Sequence, residues 1–143
     1  MATITPYLTF NGNCEEAFEF YKSVFGGDFE YIGRFKDMPS DTPVTGPAGE
    51  KIMHISLPIG NGSVLMGSDT NEHYGSVTIG NNFSMSINTE SEEEATRLFD
   101  GLAGGGKITM PLEKTFWAER FGMFTDQFGI NWMVNYDLNA VEK

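Results

Sequence analysis

At 143 residues, the chain has room for one hydrophobic core of ordinary size and no room for several large domains. It carries 20 acidic and 9 basic side chains, a formal charge of −11 that repels nucleic-acid phosphates and anionic lipid. A single cysteine excludes an internal disulfide, and no run reaches the roughly 18 apolar residues of a membrane span. We therefore expect a cytoplasmic protein with neither a nucleic-acid nor a membrane partner.

The first half of the chain reads as a strand, a helix and three further strands. The strand in ITPYLTF, from Ile4, leads into a helix with Asn13 as N-cap and Glu16 completing a capping box. Three strand segments follow, DFEYIGRF, KIMHISLPI and SVLMGSD, and a glycine-rich hairpin turn at 60–62 joins the last two. A Pro- and Gly-rich loop at 37–50 is typical either of a lid over a pocket or of a surface insertion.

The second half of the chain repeats this order. The strand NFSMSIN, from Asn82, precedes a helix with Ser91 as N-cap and Glu94 in the capping box. The strand segments KITMPLEKTFW, RFGMFTD and INWMVNYD come after it. Aligned from Glu15 and from Glu93, the helix segments EEAFEFYKSVFGGD and EEATRLFDGLAGGG share two glutamates, an alanine and two glycines. The chain therefore contains an internal repeat.

These elements predict an α+β fold of two βαβββ modules within a single domain spanning 1–143. Module one covers about 1–70, a polar linker covers 71–81, and module two covers about 82–138. Each predicted helix has an apolar stripe and must pack on a sheet. His73 lies in the linker, where we expect it to be exposed.

Three segments carry a resemblance to a known family: PYLTFNGNCEEAFEFYKSVFGG from Pro6, MHISLPIG from Met53 and FWAERFGMFTDQFGINW from Phe116. Together they resemble the vicinal oxygen chelate superfamily of glyoxalase, bleomycin-resistance and dioxygenase proteins. The similarity is strongest to its PhnB-like branch, which carries a demethylubiquinone methyltransferase label. The resemblance covers nearly the whole chain. It implies paired modules whose strands form a curved mixed sheet or barrel-like cleft, with helices outside, commonly in a homodimer.

The resemblance also implies where a metal ion would bind. Metal-dependent members place one ligand on the first and one on the last strand of each module. Those positions here are Pro6, Leu65, Asn82 and Met133. The neighbouring positions are Tyr7, Met66, Phe83 and Val134. Neither set supplies the oxygen or imidazole ligands that a divalent cation needs, so we expect no metal and no cofactor.

Strand parity predicts which residues line the cleft, because residues two apart in a strand share a face. One face of each strand is assigned to the helices, including Val64 and Met66, and the other to the cleft. The residues that we expect to bind a ligand are His54, Ser56, Leu65, Asp69, Ser84, Ser86, Trp117, Phe124, Met133 and Asn135. Serines and an asparagine on an inward face favour a solvated pocket, because unpaired polar groups in a core cost roughly 1 to 3 kcal/mol each.

His54 is the candidate general base or ligand anchor of this cleft, because imidazole changes protonation near neutral pH. A structural hydrogen-bonding role is the alternative. Asp69 and Glu113 are candidates to orient it. Trp117 either stacks on a planar or cationic ligand or fills the core or a dimer seam. Cys14 opens a helix and is interpreted as structural, since no histidine is placed to activate it.

Three functions remain open at this point. The first is a metal-free protein whose dimeric cleft binds a small organic molecule, favoured by the missing metal ligands and the aromatic-rimmed polar cleft. The second is an enzyme, either of glyoxalase or dioxygenase type with displaced metal ligands, or a metal-independent isomerase or lyase with His54 as base. The third is a dimer with a vestigial cleft. Because one fold hosts many chemistries, the sequence does not name the ligand.

Overall fold

The computed structural model describes residues 2–39, 44–60, 62–72 and 74–137. The chain divides into two compact units, Met1–Thr78 and Ile79–Lys143. Each contains a four-stranded sheet and one long helix, so the predicted α+β fold of two βαβββ modules is confirmed. Over the described ranges, no helix is both long and apolar enough to cross a membrane. Three predictions fall wholly or partly outside the described residues. They are the exposure of His73, the hairpin turn centred on Asn61, and the 37–50 loop, of which 40–43 are not described.

The first unit follows the predicted order of elements, with one addition. Its strands are β1 (Tyr7–Phe10), β2 (Tyr31–Arg34), β3 (Ile52–Gly60) and β4 (Ser63–Asp69), and its helices are α1 (Cys14–Phe25) and α2 (Gly46–Glu50). A 3-10 turn covers Phe35–Asp37. The sheet order is β1-β4-β3-β2, with β1 parallel to β4 and the other pairs antiparallel. The short helix α2 lies within the segment predicted as a loop, and a proline in its first turn favours it there.

The second unit has the same topology. Its elements are β5 (Met85–Asn88), α3 (Glu92–Ala103), β6 (Lys107–Glu113), β7 (Ala118–Thr125) and β8 (Asn131–Asp137). The sheet order is β5-β8-β7-β6, with β5 parallel to β8 and the other pairs antiparallel. The internal repeat seen in the sequence is therefore a repeat of sheet topology.

The two long helices begin in different ways. In α3, Ser91 Oγ accepts the backbone N–H of Glu94 at 3.1 Å, as predicted. In α1, the side chain of Asn13 makes no capping bond. Instead, Asp69 Oδ1 accepts the backbone N–H groups of Cys14 at 2.9 Å and Gly12 at 3.0 Å. The cap of α1 thus comes from the far end of β4, a contact that the local sequence does not encode.

Each helix packs closely on its sheet because a glycine faces it. An ideal Cβ on Gly67 of β4 would lie 2.7 Å from the ring of Phe18 in α1. On Gly122 of β7, a Cβ would lie 2.5 Å from the ring of Phe99 in α3. Large apolar side chains complete the two cores, among them Phe10, Tyr21, Ile55, Leu57, Leu65, Leu102, Trp132 and Val134. In both units, a glycine in the sheet therefore leaves room for a phenylalanine ring of the long helix.

The predicted faces of two strands are wrong. Leu65 and Asp69 share the helix-packed side of β4 with Gly67 and are buried, whereas Val64 and Met66 lie on the opposite side. The error arises because apolar residues occupy both faces of β4, so that hydrophobicity does not choose between them. In β7, Phe124 was predicted to face the cleft, but it packs edge-on against Phe99 at a centroid distance of 5.2 Å. A packed ring explains its burial.

Candidate functional site

A row of side chains crosses the first sheet on the side away from α1, which we call the open face. Backbone register places Tyr7 beside Met66, Met66 beside Ser56, and Ser56 beside Tyr31. Directly paired residues project from the same side of a sheet, so strand pairing alone brings these four together. His54 shares this side, two residues from Ser56 in β3.

His54 is held between two aromatic rings on the open face. Its Nδ1 lies 3.1 Å from the Tyr7 hydroxyl, and the two rings are stacked, with centroids 5.6 Å apart and an interplanar angle of 23°. Tyr31 lies on it at 5.7 Å and 42°. Among the described residues, nothing forms a hydrogen bond with Nε2 of His54. The imidazole is therefore fixed through one nitrogen and available through the other.

A pocket of about 560 Å³ opens beside this histidine. It is lined by Glu30, Tyr31, Met53, His54, Ser56 and Met66. Ser56 Oγ donates to Glu30 Oε2 at 3.4 Å, which orients the carboxylate toward the strand. Alternation with His54 predicts that Met53 faces the helix, but Met53 lines this pocket. The register of the adjacent strand shifts at this point, between Gly33 and Arg34. The pocket offers aromatic surface, one imidazole nitrogen and one carboxylate.

The orienting partner of His54 is Tyr7 and not Asp69. Both carboxylate oxygens of Asp69 accept backbone N–H groups: Oδ1 accepts those of Gly12 and Cys14, and Oδ2 accepts that of Ile52 at 2.9 Å. The role of this side chain is therefore structural. Glu113, the other candidate partner, lies in β6 of the second unit. The sequence alone does not identify Tyr7 and Tyr31 as neighbours of His54, because these contacts depend on strand order and register.

The second sheet has a more polar open face, on the side away from α3. Met133 is paired with Ser86, and Asn135 with Asn88. Asn135 Nδ2 donates to Asn88 Oδ1 at 3.2 Å, while its own Oδ1 is buried and accepts no hydrogen bond from the described part of the chain. The predicted ligand-binding residues Ser86, Met133 and Asn135 thus share one side of this sheet. Ser84 precedes β5 and is partly exposed.

Trp117 lies in an exposed aromatic cluster of the second unit. Its ring meets Phe116 edge-on at 4.8 Å and Phe121 at 5.3 Å. Phe116 is 90% exposed and Trp117 is 43% exposed. Within its unit, Trp117 therefore does not fill the core; the predictions of a ligand contact and of a dimer seam are not tested by this exposure.

The residues present do not fit the metal site that the resemblance implies. Of the four expected positions, Leu65 is buried on the helix-packed side of β4, and Pro6 and Asn82 precede the first strands of their sheets. The directly paired residues on the open faces are Tyr7 with Met66 and Ser86 with Met133. Thioether and hydroxyl groups in these pairs are a poor donor set for a divalent cation. Across the described ranges, no three His, Cys, Asp or Glu side chains are grouped so as to hold a metal ion. No chemical step is assigned to a metal here.

Two ionisable groups at the start of α1 have shifted pKa values. Burial, reinforced by the nearby carboxylates of Asp69 and Glu15, raises the pKa of the Cys14 thiol well above its ordinary range. Hydrogen bonds from Arg34 Nη1 and Nη2, at 3.0 and 2.7 Å, lower the pKa of Glu15. Because the thiolate is the reactive form of cysteine, Cys14 is unsuited to nucleophilic chemistry. Its structural interpretation is consistent with this environment.

The fold and the family of this chain follow from its similarity to known proteins. The chain has the vicinal oxygen chelate fold. It aligns over 95% or more of both chains with a glyoxylase/bleomycin resistance protein/dioxygenase domain from Frankia sp. EAN1pec, at a TM-score of 0.68 and 15% identity, a likeness of fold alone. The family model of 3-demethylubiquinone-9 3-methyltransferase matches residues 2–135, and the chain belongs to this PhnB-like family of the superfamily.

Individual relatives support the same placement over nearly full length. Protein PA1353 from Pseudomonas aeruginosa is 46% identical, with a TM-score of 0.83 and 96% and 98% of the two chains covered. A putative 3-demethylubiquinone-9 3-methyltransferase, the PhnB protein from Bacillus cereus, is 28% identical, with a TM-score of 0.71 over 94% and 99%. Protein YjdN from Escherichia coli K12 is 34% identical over 92% of this chain and 93% of its own length.

Proposed function

We propose that this protein binds a small organic molecule on the open face of its first unit, without a metal ion. The observation that carries the proposal is the imidazole of His54. It is fixed between Tyr7 and Tyr31, with its Nε2 uncommitted by the described residues, beside a pocket of about 560 Å³. Pockets of this size that combine apolar walls with a few convergent polar groups are typical of small-molecule sites.

The pocket favours a planar ligand that carries a positive charge. Tyr31 is 50% exposed and Tyr7 is 49% exposed, so both rings have free surface for stacking. Glu30 adds a carboxylate at the rim, and cations also bind to aromatic faces. The formal charge of −11 attracts a cation and repels an anion. A planar organic cation satisfies all of these features.

The domain organisation, the location and the oligomeric state of the protein are also proposals. We infer that both units belong to one glyoxalase/bleomycin-resistance-like domain and that the protein works in the cytoplasm as a homodimer. The exposed aromatic surface of Phe116 and Trp117 supports a contact with a second copy, because contiguous exposed apolar surface marks interaction sites. The methyl-transfer activity in the family's description is not extended to this chain. Each described sheet has a single parallel pair, unlike the parallel sheets that bind nucleotide cofactors.

A comparison of three ring compounds tests the ligand class. Quinoline, N-methylquinolinium and quinoline-2-carboxylate at pH 8 present the same ring as a neutral, a cationic and an anionic molecule. We expect the cation to bind most tightly, and Glu30→Gln to weaken it by about threefold to fivefold, the effect of one exposed charge pair. Glu16→Gln, an exposed carboxylate in α1, is the matched control and leaves affinity unchanged. Equal affinity for all three compounds would contradict the proposal.

A metal-independent isomerase or lyase is the second candidate. When His54 Nδ1 carries the proton and its N–H donates a hydrogen bond to the Tyr7 hydroxyl, Nε2 is a free base at the pocket. A carbonyl compound bound there would then exchange its α-hydrogen with solvent deuterium. The expected result is exchange that is lost in His54→Gln and retained in Ser63→Ala, an exposed residue of β4. Equal exchange in both variants would remove this candidate.

A further inference from the structure

A second pocket lies in the first unit, where the segment after β2 folds back on the sheet. It has a volume of about 400 Å³ and shares no residue with the His54 pocket. Its lining residues are Phe35, Met38, Val44, Ala48, Lys51, Asn71 and Glu72. Met38 and Val44 are 40% and 37% exposed, so this pocket presents apolar surface that a bound molecule would cover.

Backbone contacts fix the walls of this second pocket. Phe35 N–H donates to Lys51 O at 3.1 Å, and Arg34 Nη1 donates to Glu50 O at 2.7 Å, which ties the 3-10 turn to the end of α2. Gly49 is buried, and a Cβ there would lie 2.6 Å from the Val44 carbonyl oxygen. The close approach of Val44 to α2 therefore requires glycine at this position. The described part of the wall is thus fixed by two hydrogen bonds and one close packing contact.

Three polar residues line this pocket and have hydrogen-bonding groups that no described residue occupies. Lys36 is paired with Glu50 at 2.8 Å, but Lys51 has no carboxylate partner within the described residues. Glu72 likewise has no cation partner within those residues. Asn71 Oδ1 accepts the N–H of Tyr74 at 3.1 Å, which leaves its two Nδ2 hydrogens available. The lining residues thus include an ammonium, an amide donor and a carboxylate.

We propose that this pocket binds a free α-amino acid with an apolar side chain. Lys51 and the amide of Asn71 would bind the carboxylate of the ligand, Glu72 would bind its ammonium group, and Phe35, Met38, Val44 and Ala48 would contact its side chain. A net-neutral zwitterion avoids the repulsion that the charge of −11 imposes on a simple anion. It also pairs both Lys51 and Glu72, which a singly charged molecule does not.

Titration with L-phenylalanine, followed by ¹H–¹⁵N correlation spectra, tests this proposal. We expect saturable shifts at Ala48, Gly49, Lys51 and Asn71. 3-Phenylpropionate and 2-phenylethylamine, which each keep one charge, should bind at least threefold more weakly. Lys51→Met and Glu72→Gln should each weaken L-phenylalanine by about threefold to fivefold, the range for one exposed ion pair. The matched controls Lys107→Met and Glu93→Gln, exposed in the second unit, should not.

Ala48→Leu provides a test that does not depend on charge. It fills the pocket and should abolish the shifts, while an otherwise unchanged spectrum shows that the chain is folded. His54→Gln should leave L-phenylalanine binding intact, which separates this site from the proposed ring-binding site. Absence of shifts with L-phenylalanine, equal affinity for 3-phenylpropionate, or shifts that persist in Ala48→Leu would each overturn the proposal.

Discussion

At the scale of single residues, the Tyr7 hydroxyl is the group that we expect to influence the tautomer of His54. It is the hydrogen-bond partner of Nδ1, whereas Tyr31 contacts the same ring only through its aromatic face. A hydrogen bond to one histidine nitrogen affects which nitrogen carries the proton, and a tyrosine hydroxyl either accepts from Nδ1–H or donates to unprotonated Nδ1. The behaviour of His54 is therefore a property of the pair.

We predict that Tyr7→Phe changes the tautomer ratio of His54, because it removes the only hydrogen bond described for Nδ1. Stability should fall by less than about 1 kcal/mol, since the lost bond is exposed. Long-range ¹H–¹⁵N spectra of the imidazole measure the ratio directly. Tyr31→Phe is the control and should leave it unchanged; the reverse pattern would show that ring packing, not the hydroxyl, governs His54.

Asp126 is a buried carboxylate whose removal should destabilise the second unit. It is 3% exposed, and its carboxylate accepts the N–H groups of Phe128 and Ile130 and the indole Nε1–H of Trp132, at 2.8, 3.1 and 2.8 Å. Asp126→Ala leaves these donors unpaired at about 1 to 3 kcal/mol for each buried group. We predict a loss of about 2 to 4 kcal/mol in urea unfolding.

The control for this variant is Asp100→Ala, which replaces an exposed aspartate in α3 with a residue of higher helix propensity. It should change the free energy of unfolding by less than about 0.5 kcal/mol. If the two variants unfold at the same urea concentration, the three hydrogen bonds to Asp126 do not stabilise the unit.

At the scale of elements, an ion pair joins α1 to β2. Arg34 forms two hydrogen bonds with Glu15, whose side chain is 46% exposed. Because the pKa of Glu15 is lower in the folded state than the unfolded value of about 4.3, its contribution is present above that pH. It is lost as the pH falls through the folded-state pKa. Solvent screening limits its size.

We therefore predict that Glu15→Gln lowers the free energy of unfolding by about 0.2 to 1 kcal/mol at pH 7, and that the difference from the parent protein shrinks as the pH falls below about 4.3. Urea unfolding at several pH values measures this. Glu16→Gln, with no described partner, should show no such pH-dependent difference. A Glu15→Gln difference that persists unchanged at pH 3 would exclude the charge pair as its cause.

The glycines beneath the helices give a second prediction at this scale. Gly67→Ala and Gly122→Ala place a methyl group within 3 Å of the Phe18 and Phe99 rings, respectively. Overpacking of this kind costs about 1 to 3 kcal/mol, and we expect that loss in each variant. Gly104→Ala is the control, since its backbone φ is −58° and its Cβ would meet nothing closer than 3.5 Å. Thermal unfolding distinguishes the three; equal midpoints would contradict close packing.

The sequence predicts the elements well and their mutual contacts less well. All eight strand segments and both long helices follow from periodicity. The alternation of Phe83, Met85 and Ile87 identifies the helix-facing side of β5 for Met85 and Ile87, whereas Phe83 precedes the strand and is 57% exposed. β4 has no such alternation, and Leu65 was placed on the wrong side. The cap of α1 by Asp69 and the Tyr7–His54 contact depend on strand order, which local patterns do not contain.

At the scale of the whole molecule, a duplicated topology carries two sheets with different open faces. The first presents His54 and its two tyrosines, and the second presents serine, methionine and asparagine side chains. The superfamily's metal positions are occupied in both by residues that do not suit a divalent cation. Duplication has therefore preserved the fold while the proposed binding chemistry is concentrated in one unit.

The central claim is ligand binding at His54 without a metal ion. The most direct test is isothermal titration of EDTA-treated protein with N-methylquinolinium, for the parent chain and for His54→Gln. The account predicts binding in the absence of metal, weakened about fivefold by the substitution, the loss expected when one stacking ring is removed. Binding that appears only when zinc, nickel, manganese or iron is added back, or that is unchanged in His54→Gln, would contradict it.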